Sequence, residues 1–258
     1  MQESFRDTLT RLGDAQKRRA RGAPAYSVYV NRKIGRVLAA FAYRRGWSPN
    51  QVTAVSAVFT FTGVALVALV SPSVLLGVGI WLLLALGYAW DSADGQVARL
   101  GSGGSMAGEW LDHVVDGIKA SSVHLAVLVG TYRFVKVSPT WLLVPIGFAV
   151  VASVTFFAMI LNDLLKGARG VPQAAERGGS TRLRSLLVLP MDYGALCAAF
   201  VAWGAPTVFR AVYTGLAAFC TVFLVLAAVK WFREMRSIDA ARDQGTSGAE
   251  GSEPRVGP

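Results

Sequence analysis

From Gly46 to Trp90 the chain runs for 45 residues without a Lys, Arg, Asp or Glu. Val137 to Asn162 is a second uncharged run, of 26 residues, and Ala211 to Val229 a third, of 19. An apolar run of 18 or more residues is read as a membrane span. Charged residues make up 16% of the chain, against about 25% for an average soluble domain. These features argue against a soluble globular enzyme, a disordered chain and a disulfide-stapled protein. Cys197 and Cys220 both fall in apolar segments. They read as small buried hydrophobes, with no metal or redox spacing between them.

The uncharged runs and their breaks predict an all-α integral membrane protein. Six transmembrane helices are expected at about 51–70, 72–90, 109–131, 139–161, 186–204 and 207–230. Short links such as Ser71-Pro72-Ser73 and Gly204-Ala205-Pro206 make antiparallel neighbours. An amphipathic helix over 26–46 precedes them. Val30, Ile34, Val37, Leu38 and Phe41 recur there at helical spacing, and Arg32, Lys33, Arg36, Arg44 and Arg45 occupy much of the rest. Such a helix lies in the membrane interface. Residues 1–25 form a polar basic tail with no apolar stretch of signal-peptide type. By default it is flexible, with a short surface helix over 3–20 as the alternative. Residues 236–258 are expected to form a flexible tail; from Gln244 on it is rich in Gly, Ser and Glu with no apolar periodicity.

The net charge of +10 follows the same topology. The stretches 1–50, 91–108, 162–185 and 230–258 hold 22 of the 26 Lys and Arg residues. This positive-inside pattern predicts that all four stretches, and so both termini, are cytoplasmic in a cell-membrane protein. Anionic lipid head groups would add to the attraction. Without an aromatic-interleaved basic platform, no nucleic-acid partner is expected.

The informative charges interrupt the apolar pattern. Asp91 and Asp94 close the second span, and Asp112 and Asp116 lie in the first turns of the third. Spacings of three and four place each pair on one helix face. Four carboxylates brought together must be neutralised, and two divalent cations do so; an all-oxygen site suits Mg²⁺, Mn²⁺ or Ca²⁺ rather than Zn²⁺ or copper, and two Mg²⁺ or Mn²⁺ ions are expected. Paired metals serve phosphoryl-type displacements. The competing reading, helix caps and pairs with Arg99, Lys119 and Lys166, accounts for one or two of the acids. The loop that follows contains Gly-Ser-Gly, but no strand precedes it and no Gly-Lys-Ser/Thr follows, which excludes dinucleotide and P-loop sites.

Asp91-x2-Asp94-Gly95-x2-Ala98-Arg99-x8-Gly108-x3-Asp112-x3-Asp116 resembles the signature of the CDP-alcohol phosphotransferases, with all eight specified positions present within 26 residues. The Ser48-Pro49-Asn50-x2-Thr53 segment is similar to that family's turn before its first span. The resemblance covers roughly residues 26–235 and makes 47–235 a six-helix catalytic domain. It implies transfer of a phosphoryl-alcohol group from a CDP-alcohol, such as CDP-diacylglycerol, to an acceptor hydroxyl, with release of CMP, in phospholipid synthesis. It implies that Asp91, Asp94, Asp112 and Asp116 hold two metals and that Asp116 is also the general base. Gly95, Ala98, Arg99, Ser105 and Gly108 would contact the CDP part, with Pro49, Asn50 and Thr53 nearby. It also implies a homodimer.

Two versions of the substrate pair stay open: CDP-diacylglycerol with a polar acceptor, or a polar CDP-alcohol donor or diacylglycerol acceptor. The stretch Tyr26-Ser-Val-Tyr-Val-Asn31-Arg32 keeps the second in view. Lys119, Arg184 and Asp192 are candidates for an acceptor pocket. For Asp192 and Arg184 a structural ion pair weighs equally, and Lys119 could merely offset the acids. His113 points away from the 112/116 face, and His124 reads as a packed polar contact. Readings of another class are a cation transporter and a membrane scaffold.

Overall fold

The computed structural model describes residues 4–14, 24–101, 103–171 and 187–250. Among these residues the chain is helical throughout, with no strand. The principal helices are α1 (Phe5–Asp14), α2 (Arg32–Arg44), α3 (Pro49–Leu69), α4 (Val74–Leu100), α5 (Met106–Phe134), α6 (Leu143–Ala168), α7 (Tyr193–Ala199) and α8 (Pro206–Glu250). A π-helical turn, Ser27–Asn31, leads into α2. The chain divides into two units, Met1–Cys220 and Thr221–Pro258.

Among the described residues five helical segments are long and apolar enough to cross a membrane: Pro49–Leu69, Val74–Leu100, Met106–Phe134, Pro139–Ala168 and Pro206–Ala240. Their outward faces carry large apolar side chains, among them Val58, Leu143, Phe157 and Leu164, each more than 60% exposed. A water-soluble protein rarely presents such a continuous apolar exterior; hydrocarbon is its natural solvent, and the chain is an integral membrane protein. The expected span at 186–204 is seen only as a shorter apolar helix, Tyr193–Ala202. Pro190 sits in a 3₁₀ turn, Leu189–Met191, and Asp192 caps the helix that follows, so regular α-helix starts only at Tyr193.

In the first unit α3 packs at close range against both α4 and α5. Small residues allow this, as is usual where no hydrophobic gradient drives helices together. A side chain at Gly87 would overlap Thr60 of α3, and one at Gly130 would overlap the Val67 carbonyl. Val67, Leu84, Val127, Phe200, Trp203 and Tyr213 centre the apolar core.

Helix α2 turns its small face, Gly35, Ala39 and Ala42, inward; Ala39 and Ala42 join Trp90, Ala93 and Val97 of α4 in a second cluster. Its larger apolar residues Val30, Ile34, Val37 and Phe41 point outward. The amphipathic pattern thus hides a third, small-residue face.

Among the described residues helix extends into both tails, at the N-terminus within the stretch 3–20 given as the alternative. Part of the N-terminal tail is the docked helix α1, whose Leu12 is buried against α2 and α4. Phe5, Leu9 and Leu12, spaced four and three apart, supply the apolar stripe that a flexible tail lacks. At the other end α8 continues to Glu250. Once nucleated in an apolar span, a helix propagates at little cost through the good helix formers of Trp231–Ala240. In the second unit Val222, Val225, Leu226 and Val229 are exposed, a lipid-compatible face.

Candidate active site

The signature motif folds into the end of the α4–α5 hairpin. The C-terminal turns of α4 present Asp91 and Asp94, and the first turns of α5 present Asp112 and Asp116. Carboxylate oxygens of Asp91, Asp112 and Asp116 all lie within 4.8 Å of one another. Three oxygen donors at that separation fit a hard divalent cation. Lys119, one turn beyond Asp116, is buried beneath them. Its Nζ donates to Asp91, to Asp116 Oδ1 at 3.0 Å and to Ser56 Oγ at 3.1 Å. Ser56 in turn donates to the Gly87 carbonyl at 2.8 Å, which fixes its orientation.

Asp94 is not within that separation of all three but adjoins Asp112. Thr53 Oγ1 donates to its Oδ2 at 2.9 Å, and the Gly95 amide donates to its Oδ1. It remains within electrostatic reach of Asp91 and Asp112. Thr53 therefore meets the acidic cluster directly and holds one of its members.

Two helix N-termini meet beside these acids. Helix α3 starts at a capping box: Ser48 Oγ accepts from the Gln51 amide at 3.3 Å, and Gln51 Oε1 accepts from the Ser48 amide at 2.9 Å. Pro49 follows at the first helical position. Ser105 caps α5, its Oγ accepting from the Gly108 amide at 3.0 Å. The two ends approach so closely that a Cβ on Gly108 would sit 2.9 Å from Asn50 Oδ1 and 3.1 Å from Ser105 Oγ. Convergent helix N-termini favour anions. Gly95 differs: a Cβ there would meet only Arg99 Nη1, at 3.5 Å. The fold does not require glycine at this point, and the space beside it is open to a ligand. Ala98 is half-buried and Arg99 is exposed.

The remaining candidates separate. Asp192 is 3% exposed, and both its oxygens are occupied by backbone donors: Ser27 N–H at 2.7 Å and Gly194 N–H at 2.9 Å. It caps α7 and ties that helix to the turn before α2. Arg184 and its neighbour Arg182 lie outside the described residues. His124 is buried, 2.7 Å from the Tyr213 hydroxyl and stacked on Phe148, as a packed polar contact would be. His113 lies 3.9 Å from Glu109. Sequence reasoning passed over Ser56 and Tyr193. For Ser56 a signal existed: Thr53, Ser56 and Thr60 form a polar stripe at helical spacing inside an otherwise apolar span.

A family model described as CDP-alcohol phosphatidyltransferase matches residues 47–230. No curated protein matches the chain. The matched segment is well over half of the sequence and encloses α3 to α7, the four aspartates, Lys119 and the capped ends of α3 and α5, so the chain belongs to the CDP-alcohol phosphatidyltransferase family.

Proposed function

We propose that the protein transfers the phosphoryl-alcohol half of a CDP-alcohol, in the main reading the phosphatidyl group of CDP-diacylglycerol, to an acceptor hydroxyl and releases CMP. The observation that carries this reading is the convergence of Asp91, Asp112 and Asp116 beside two helix N-termini, within a transferase family. An ion path across the bilayer would need acids along its length; these sit at the end of one helical hairpin.

Asp91, Asp112 and Asp116, with Asp94 adjoining, would hold two Mg²⁺ or Mn²⁺ ions. When bound, these supply positive charge that stabilises the pyrophosphate and the departing CMP. The chain's own residues do the rest. The acceptor oxygen attacks the phosphorus that bears the alcohol. A new P–O bond forms, the bond from that phosphorus to the CMP oxygen breaks, and CMP leaves with its electron pair. The acceptor proton passes to the Asp116 carboxylate, because an alcohol is a poor nucleophile at neutral pH. The amide ends of α3 and α5 and the Arg99 guanidinium bind phosphate oxygens. Gly95 and Gly108 let the nucleotide approach the backbone, with Pro49, Asn50, Ala98 and Ser105 lining its path. Thr53 holds Asp94 in register.

The same reading places the site at the cytoplasmic membrane surface, with Val30, Ile34, Val37 and Phe41 of α2 in the interface. A sixth crossing runs through 186–204, both termini are cytoplasmic, and the protein works as a homodimer in phospholipid synthesis. A lipid tail then stays in the bilayer while the nucleotide stays in water.

The test is CMP release by purified protein in detergent with Mg²⁺. CDP-diacylglycerol, CDP-glycerol, CDP-inositol, CDP-choline and CDP-ethanolamine serve as donors, against inositol phosphate, glycerol phosphate and diacylglycerol as acceptors. One productive pair identifies the substrates; silence across the panel from folded protein rejects the reading. Gly95→Leu checks the nucleotide path. Leucine is a better helix former by up to about 1 kcal/mol, so the thermal midpoint should hold or rise. CMP release at limiting donor should fall at least tenfold, as a side chain fills ligand space. Wild-type activity in that variant would place the nucleotide elsewhere.

A further inference from the structure

One hydroxyl near the acids has no partner. Tyr193, the first residue of α7, has a buried Oη that makes no hydrogen bond among the described residues. Its ring meets Tyr88 edge to face, centroids 5.3 Å apart, and Tyr88 lies one turn before Asp91 on α4. The Tyr193 hydroxyl lies within electrostatic reach of Asp91 and Asp116, the member of each pair farther from the α4–α5 loop. Both carboxylates already accept from Lys119. A buried O–H left unmade is costly, and the cost is recovered when a ligand oxygen accepts from it.

The backbone around Tyr193 is pinned on both sides. Asp192 accepts from Gly194 N–H and Ser27 N–H. Gly194 lies directly against the Tyr26 ring, with no space for a side chain. Tyr26 stacks on Tyr88 at 6.2 Å and 11°. A donor held this firmly from three directions is preorganised for a bound atom. The nucleotide contacts proposed above cluster at the other end of the acids, around Gly95, Arg99, Ser105 and Gly108. Tyr193 approaches from α4, at the end of the cluster formed by Asp91 and Asp116, where the acceptor loses its proton.

We propose that Tyr193 is an acceptor-binding residue, its phenolic O–H donating to an oxygen of the acceptor alcohol beside Asp116. This rests on the transferase reading. It also gives Asp192 a positioning role, since its cap sets where the Tyr193 ring stands.

The experiment is steady-state CMP release by Tyr193→Phe, which keeps the ring and removes the donor. The acceptor and the CDP-alcohol that the wild-type protein uses are varied in turn. KM for the acceptor should rise about tenfold, the effect of one lost hydrogen bond. KM for the CDP-alcohol should stay within about twofold, as befits a contact to the acceptor alone, and the thermal midpoint in detergent should hold or rise, because an unpaired buried hydroxyl is removed. An unchanged acceptor KM overturns the assignment. So does a joint rise of both KM values with a fall in the midpoint, which marks a packing role. Wild-type protein that releases no CMP from any pair overturns the transferase reading and this assignment with it.

Discussion

Asp116→Asn should lower CMP release by about 10³-fold while the protein folds normally. General-base catalysis alone contributes about 10²–10⁴, and Asp116 is also one of the three converging carboxylates. Asparagine has nearly the same shape, cannot take the acceptor proton and is a weaker ligand for a hard cation. The fold should tolerate the change, because Lys119 keeps its contacts to Asp91 and Ser56. The check is a progress curve of CMP release beside a melting curve of the same preparation. Retention of a tenth or more of the wild-type rate would remove Asp116 from the base role.

Lys119→Met should have the largest effect on stability. Lys119 is 7% exposed, and it is the cation that Asp91 and Asp116 share. Removing one partner of a buried ion pair leaves uncompensated charge, at about 3–5 kcal/mol. The lower end applies here, since the two aspartate side chains keep 22% and 27% exposure. The same variant reports on metal binding. A divalent cation that binds the folded site stabilises it by mass action, so millimolar Mg²⁺ should recover much of the lost melting temperature, and chelator should abolish the recovery. Differential scanning fluorimetry in detergent, with Mg²⁺ or EDTA, reads both effects. A melting temperature unchanged by the mutation and indifferent to Mg²⁺ would mean that the carboxylates neither need Lys119 nor bind metal.

The bundle and the acidic pairs were legible because both rest on periodicity. Uncharged runs show α3, α4, α6 and α8, α5 is an apolar stretch interrupted by charges, and spacings of three and four place the acids on shared faces. The aspartate motif is local, so sequence order and spatial order nearly coincide across the α4–α5 hairpin. What escaped was contact between distant segments. Nothing in Thr53 announces that it bonds Asp94, 41 positions away. Nothing in Asp192 announces that its carboxylate accepts from Ser27, 165 positions away. Lys119 could be read as a substrate contact or as an offset to the acids, and nothing local announces that its ammonium bonds Asp91 and Ser56 as well as Asp116. The shortened helix at Tyr193 escaped because an apolar run shows hydrophobicity but not where Pro190 and Asp192 restart the backbone. Helix α1 falls within the alternative helix at 3–20, but its stripe is brief and its neighbourhood basic, so the burial of Leu12 against α2 and α4 was not legible.

The central claim is that the phosphoryl-alcohol group moves intact to another hydroxyl at the aspartate cluster. The most direct measurement follows CMP and the new phosphodiester together, by mass spectrometry, from one reaction of purified protein with CDP-alcohol, acceptor and Mg²⁺. The account predicts equal amounts of the two products, both lost with Asp116→Asn. CMP without the phosphodiester, or no CMP from folded protein, would contradict it.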